Sequence, residues 1–453
     1  MTKWLLGFML GVFPLYVLAD AVDDATLVHK ADAILDAGIA SDAPGASVLI
    51  ARDDQVIYRG ARGEANLALG VPLSAQHVFR IGSITKTFTA ATVLKLSAQG
   101  KLALSDPLSK FLPDFPNGAH ITVAQLLDHT AGISDNWDVD PAKPLDTATL
   151  VKHIAAQAPD FAPGQAWAYS NSGYLLLGAI IEKVTGHSWS DVIHTEFAIP
   201  LGLARTGFYA DSAVVPDLVT GYSRDGDGHV VLPPYVTITG PGAAGALVST
   251  ADDLFRWMRA LATDRAMPVG LYQTMSSSKA TDDGTPVNYG YGLMLGTVRG
   301  EAVVEHNGGI EGFSSQLTYF PKQHITVVVL ANTDAGSPNP RALAHRLGAL
   351  AIDKPYADLE SIKAGSKYLR ALRGTYRVDK AGKHVLSVDG SKLIIQRDGG
   401  PKRLLTVARD DVLFYPDDGT DYIKVIRDKQ GSVVALDFYA DGMPPARHED
   451  RIH

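Results

Sequence analysis

Gly82-Ser83-Ile84-Thr85-Lys86 stands at the head of an apolar run from about Ile84 to Gln99 that reads as a helix. If Ser83 opens that helix, Lys86 lies one turn further along the same face, and hydroxyl and amine can meet. A serine is a weak nucleophile at neutral pH until a neighbouring base or cation activates it. The start of a helix adds free N–H groups and partial positive charge, which suit an oxyanion. A lone Ser-x-x-Lys is equally a capped helix with a solvated lysine, so its meaning rests on its companions.

Two companions follow in chain order. Tyr169-Ser170-Asn171 sits in Pro163–Tyr174, a stretch rich in Pro, Gly, Asn and Ser that reads as a loop before a helix from about Tyr174 to Thr185. A tyrosine held against a lysine amine loses its proton more readily, which makes Tyr169 a candidate general base. The Asn171 amide can donate to a substrate carbonyl and accept from Lys86. Glu305-His306-Asn307-Gly308-Gly309 ends a strand-like run that begins at Val303. Paired glycines after a strand let substrate backbone come close, and the Gly309 N–H can complete an oxyanion pair with that of Ser83.

Together these segments carry a resemblance. The chain resembles the serine β-lactamase and penicillin-binding-protein superfamily, in its class C-like, D-aminopeptidase and carboxylesterase branch (peptidase S12). The family's ordered pattern of S-x-x-K, Y-x-N and K-T-G or H-x-G is matched by Ser83/Lys86, Tyr169/Asn171 and His306/Gly308. Leu126-Leu127-Asp128-His129-Thr130-Ala131-Gly132-Ile133 is similar to the family's L-L-x-H-T-S-G-I, and Tyr174–Gly178 and Ala244–Leu254 are similar to its flanking text. The likeness runs from about Asp32 to Ile352.

The resemblance implies an antiparallel sheet flanked by helices, with a helical subdomain. It also implies an acyl-enzyme on Ser83. Lys86 and Tyr169 would share the proton work. Asn171 would hold Lys86 and the substrate oxygen, with His306, Gly308 and Gly309 on the substrate-binding side. The Ser83 and Gly309 N–H groups would stabilise the oxyanion, each worth about 3 kcal/mol. No metal or organic cofactor is implied.

His306 departs from the lysine of the β-lactamase version. Its ordinary pKa leaves it mostly neutral at pH 7, and strand alternation turns the adjacent Glu305 to the opposite face. A site with less positive charge anchors a substrate carboxylate poorly. D-amino-acid peptides, amides or esters are therefore expected ahead of β-lactams, and since H-x-G accompanies D-peptidase members of the family, the resemblance implies a peptidase or amidase ahead of an esterase. The alternatives are an acyltransferase or weak β-lactamase with the same acyl-enzyme, or a non-catalytic binding protein that keeps the fold.

The rest of the chain frames this site. Ala46–Ala51 and Gln55–Arg59 read as a hairpin about Asp53-Asp54. Helices are expected at Asp252–Leu261, capped by Thr250 or Ser249, and at Pro340–Ile352. Gln316–Phe320 and Ile325–Leu330 read as strands, giving one α/β unit whose sheet joins distant strands. Beyond about Lys354 come seven short strand candidates separated by Gly and Asp turns, from Tyr376 to Tyr439. They indicate a small all-β barrel, and the unit is similar to the lipocalin-like modules appended to some family members. Domains are expected at 22–360 and 361–453.

Residues 1–21 read as a signal peptide: Lys3, an apolar run Trp4–Val17, then Ala19-Asp20-Ala21 or Val17-Leu18-Ala19 for cleavage. Export to the periplasm or medium follows, with no later span. The 453 residues hold 41 basic and 49 acidic groups, a net charge of −8, which argues against a nucleic-acid partner. With no cysteine, disulfides, thiolate nucleophiles and Cys-ligated metals are excluded. His129 is expected to hydrogen-bond structurally, His229, His324, His345 and His384 lack metal-ligand spacing, and Asp252-Asp253 reads as a helix cap. Tyr235, Tyr289 and Tyr291 are candidates for lining a cleft. The expected partner is a small molecule or a short peptide or ester.

Overall fold

A computed structural model describes residues 23–136, 139–380, 382–416 and 418–452. The candidate signal peptide lies outside them. Ala46–Arg52 (β1) and Gln55–Arg62 (β2) form the expected hairpin, with Asp53 at φ 51° in its turn. After a long, largely helical insertion come Met294–Val298 (β3), Glu301–Ile310 (β4), Phe313–Phe320 (β5) and Ile325–Ala331 (β6). The sheet runs β3-β4-β5-β6-β1-β2 and is antiparallel throughout. Its centre is made by distant segments, with Ala46 opposite Ala331 and Arg52 opposite Ile325.

The helices that matter to the site are Asp24–Gly38 (α1), Thr85–Ala98 (α2), Asn171–Thr185 (α3), the single turn Gly242–Gly245 (α4), Ala251–Ala262 (α5) and Pro340–Ala351 (α6). Both faces of the sheet are covered, which is why β1 and β6 read as nearly continuous apolar runs. Val48, Ile50, Val327 and Val329 pack with Leu27, Ala31 and Leu35 of α1 and Leu343 and Leu347 of α6. Leu49, Ala51, Val328 and Leu330 belong to the larger core with α2, α3 and α5. Each buried Val, Leu or Ile among them contributes about 1.5–3 kcal/mol, so the sheet beneath the site is well anchored.

Helix α2 is buried on almost every side. Phe88 stacks on Trp257 of α5 at 4.0 Å, and the Trp257 indole donates to Thr87 Oγ1 at 2.8 Å. Ser83 itself lies in a 3-10 turn, Gly82–Ile84, just before α2. Helix α3 begins at Asn171, three residues before the expected start, because the Ser170 hydroxyl accepts the Gly173 N–H at 3.1 Å and caps it. Helix α5 is capped by Thr250; Asp252 and Asp253 lie in its first turn instead, where they bind Arg59 and the Arg205 N–H. Strand β4 does not end at His306. It continues through both glycines, with Gly308 opposite Ser315 and Gly309 opposite Ser314.

The C-terminal region is an antiparallel sheet of eight strands in chain order: Gly374–Arg377 (β7), Lys383–Asp389 (β8), Lys392–Arg397 (β9), Lys402–Val407 (β10), Val412–Phe414 (β11), Tyr422–Arg427 (β12), Val433–Tyr439 (β13) and Arg447–Asp450 (β14). A Tyr376–Arg451 bridge and the Ile452 N–H donating to the Thr375 carbonyl at 2.8 Å nearly close it into a barrel. The eighth strand is one more than expected, since Arg447-His448-Glu449-Asp450 carries no apolar residue. The interior is filled by Leu386, Leu393, Ile395, Leu413, Ile423 and Leu436, with Leu369 and Leu372 from the helix Ser366–Leu372 (α7). Arg299, at the β3–β4 turn, donates to the Asp441 and Gly442 carbonyls at 3.1 and 2.7 Å and ties sheet to barrel. Among the described residues no helix is long and apolar enough to cross a membrane.

Candidate active site

Three segments converge on Lys86. Its side chain is wholly buried, and Nζ lies 3.0 Å from Ser83 Oγ, 2.8 Å from Asn171 Oδ1 and 2.8 Å from the Ala244 carbonyl of α4. The Tyr169 and Tyr174 rings face the same nitrogen at 4.8 and 5.6 Å. A neutral amine has two N–H donors and one lone pair. Asn171 Oδ1 and the Ala244 carbonyl can only accept, so they take both hydrogens and leave the lone pair to the Ser83 hydroxyl. Burial lowers the Lys86 pKa from 10.5 to about 7, partly opposed by the charge of Asp135. An amine in that state is a base matched to neutral pH.

Tyr169 behaves otherwise than expected from its neighbour. Burial pushes its phenol well above its ordinary value; a hydrogen bond with Ser83 lowers it, and the charge of Asp135 raises it. The lysine sits over the face of the ring, so it does not draw out the phenolic proton. Burial thus favours the neutral form of both groups, the amine of Lys86 and the phenol of Tyr169.

The third motif comes in from β4. His306 is fully buried; Nδ1 donates to the Asn307 carbonyl at 2.6 Å, which leaves Nε2 to accept from the Tyr289 hydroxyl at 3.0 Å. Burial first, then the charge of Lys86, lowers its pKa to about 3, so the ring is neutral at neutral pH. Tyr289 and Tyr174 are held protonated by burial, and Tyr174 donates to the Leu127 carbonyl at 2.7 Å.

The two glycines have different jobs. A Cβ on Gly308 would lie 2.0 Å from the Ile81 carbonyl, whereas one on Gly309 would meet nothing within 4 Å. Gly308 lets β4 lie against the segment that carries Ser83, and Gly309 borders open space. Gly82, at φ 51°, has room for only hydrogen: a Cβ would stand 2.7 Å from the Gly309 nitrogen. The backbones at Ser83 and Gly309 are thus neighbours.

A cavity of about 270 Å³ opens over this cluster. Ser83, Asn171 and Gly309 line it, with an apolar wall of Leu145, Leu175, Val236, Pro241 and Ile310. Lys86, Tyr169, His306 and Gly308 do not line it; they lie behind. Among the described lining residues Lys143 is the one cation, and it is paired with Asp140 at 3.6 Å, while Glu311 adds a carboxylate.

Sequence reasoning missed Asp135 and the Ala244 carbonyl. Asp135 Oδ1 accepts from the Ser170 hydroxyl at 2.9 Å and the Ser172 N–H at 2.8 Å, and Oδ2 from the Asn171 N–H at 2.7 Å. A carboxylate just after the Leu126–Ile133 stretch was the available signal. His129 Nδ1 accepts the Ser170 N–H at 3.1 Å, and its ring packs against Tyr169 and Tyr289. Of the tyrosines proposed for a cleft, Tyr289 joins the cluster, Tyr291 is buried and Tyr235 is exposed. Asp225, Asp227 and His229 could together present ligands to a cation, but all three are exposed in one hairpin turn.

A serine 3.0 Å from a buried lysine, on an antiparallel sheet covered by helices, agrees with a serine hydrolase of the β-lactamase kind. The chain belongs to that family: the Beta-lactamase family model matches residues 31–351. It is 28% identical over 331 residues to penicillin-binding protein 4* of Bacillus subtilis, covering 68% of this chain and 73% of that protein. The fold is similar to a D-stereospecific amidohydrolase from Streptomyces sp., with TM-score 0.60, 30% identity, and 68% and 94% of the two chains covered. It is also similar to an octameric penicillin-binding protein homologue from Pyrococcus abyssi, with TM-score 0.66, 28% identity and 93% and 100% covered.

Proposed function

We propose that the protein is an exported hydrolase that forms an acyl-enzyme on Ser83 and acts on amides, short peptides or esters of D-amino acids. The observation that carries this is the 3.0 Å contact between Ser83 Oγ and a buried Lys86 amine whose pKa lies near 7. Neutral Lys86 takes the Ser83 proton as Oγ attacks the substrate carbonyl carbon. The ammonium so formed is held by Asn171, the Ala244 carbonyl and two aromatic faces. The oxyanion lies between the Ser83 and Gly309 N–H groups. The C–N or C–O bond breaks as the proton held by the Lys86 ammonium passes to the leaving group, with the hydroxyl of Tyr169, whose ring faces Lys86 Nζ at 4.8 Å, as relay. Water then attacks the acyl-enzyme by the reverse path. His306 acts from behind, through Tyr289.

The substrate class rests on charge. Among the described lining residues no unpaired cation is offered to a substrate carboxylate, which supports neutral acyl donors over β-lactams. The likeness to a D-stereospecific amidohydrolase favours D-amino-acid amides.

The test is intact-protein mass after exposure to a fluorophosphonate, for wild type and Ser83→Ala, followed by turnover of D- and L-amino-acid anilides, short esters and a chromogenic cephalosporin. One adduct per chain, absent in Ser83→Ala, and faster turnover of D-anilides are expected. No adduct on folded wild type overturns the reading. Transfer to an added amine in place of water would make the protein an acyltransferase.

A further inference from the structure

Asp135 lies at the junction of the loop after His129 and the first turn of α3. Its described hydrogen bonds all go to Ser170, Asn171 and Ser172, of which Asn171 touches Lys86. Asn171 is the first residue of α3, and its side-chain oxygen reaches the Lys86 amine at 2.8 Å. The direction in which that oxygen points is set by the backbone Asp135 grips. A carboxylate at a helix N-terminus is also favoured by the helix dipole, which helps to keep it in place.

We propose that Asp135 is a positioning residue for the reaction at Ser83: its carboxylate fixes the Ser170–Ser172 backbone, holds the Asn171 oxygen on the Lys86 amine, and stands near Lys86 and its Ser83 and Tyr169 neighbours. This rests on Ser83 being the nucleophile. Lys86 faces other groups from each element around it: the Tyr169 and Tyr174 rings, the neutral rings of His306 and His129, the Ser83 hydroxyl, and the oxygens of Asn171 and Ala244. None of these is a carboxylate; Asp135 is. It favours the ammonium form of Lys86 and so opposes burial. Without it the amine would lose its proton at lower pH, yet would be held less well in line with Ser83.

The experiment is the rate of fluorophosphonate labelling of Ser83 against pH in wild type, Asp135→Asn and Asp135→Glu. Asn keeps the shape and one accepting oxygen, but loses the charge and turns an N–H toward the Asn171 N–H. Labelling of wild type is expected to rise through a midpoint near 7. In Asp135→Asn the midpoint should move down by about half to one pH unit, and the plateau rate should fall roughly tenfold. Asp135→Glu should keep the midpoint and lower the plateau, since charge is retained and reach is changed. A merely structural cap would alter the melting temperature and leave the midpoint in place. An unshifted midpoint in folded Asp135→Asn, or a full plateau in Asp135→Glu, overturns the role of Asp135. If the Asn variant does not fold, the plateau of the Glu variant decides. Failure of wild type to label at any pH overturns the Ser83 reading and the Asp135 role with it.

Discussion

Glu305 and His306 are neighbours on β4 that face opposite sides of the sheet, and the two sides treat a buried titratable group in opposite ways. On the Glu305 side compensation is complete. Burial raises its pKa, but the His345 ring at 2.8 Å, the charge of Arg341 and the Thr318 hydroxyl overcome that and hold the carboxyl below its ordinary value. Gln316 adds a further N–H at 2.8 Å. On the His306 side compensation is deliberately thin. The Lys86 amine has neutral oxygens and ring faces around it, and burial wins. A charge that is fully paired becomes structure, while one left underpaired becomes a base near neutral pH.

The largest break in this contrast comes from Lys86→Met. Ser83 labelling should fall about 10²–10⁴-fold, with the protein folded and no less stable at pH 7. In wild type the native state binds its Lys86 proton less tightly than the unfolded chain does. Stability should therefore rise as pH climbs from about 7 toward 10.5, and Lys86→Met should lack that slope. Denaturant titrations at several pH values measure it. Labelling that survives the substitution would remove Lys86 from the base role.

Glu305→Ala should do the reverse. Removing one partner leaves the His345 ring without its acceptor and Gln316 and Thr318 with only each other, which costs about 3–5 kcal/mol. Labelling of the folded fraction should stay within about tenfold of wild type, because none of these groups touches Lys86. Urea denaturation beside labelling at low denaturant separates the two readouts. A loss of labelling larger than the loss of stability would join the two faces into one functional unit.

How far this contrast was legible in the sequence depends on what carries each part. Ser83, Lys86, Tyr169, Asn171 and His306 could be singled out as candidates because side-chain type and order carry the motif. The Ala244 carbonyl could not, since every residue has one. Asp135 is one acid among 49 acidic groups until folding sets it against α3. Tyr169 was legible as a site residue, but its proton affinity was not: adjacency to a cation suggests a lowered value, and burial reverses the sign. For the fold, apolar runs mark β1 and β6 as buried strands, while their pairing across the whole insertion is a fact of topology. Strand β14 was invisible because its inward residue is Glu449, hydrogen-bonded with His384 at 2.8 Å and paired with Arg447 at 2.8 Å, and no apolar alternation marks it.

The smallest effect, and the finest probe of the thin side, is Tyr289→Phe. Tyr289 donates to His306 Nε2 at 3.0 Å, and its ring packs on His129 at 4.6 Å. Phenylalanine keeps the packing and deletes one buried donor, so stability should fall by about 1 kcal/mol and labelling by no more than a few-fold. The informative readout is the pH profile. If the Tyr289 hydroxyl kept His306 neutral, its loss would let the ring take a proton and add a second limb near the ordinary histidine value. Burial and the charge of Lys86 both act against that proton and survive the substitution. The profile should therefore keep its single rise near 7, set by Lys86. A new limb between pH 5 and 6.5 (about the ordinary histidine range) would show that the hydrogen bond, and not the dry interior, governs the charge of this side of β4.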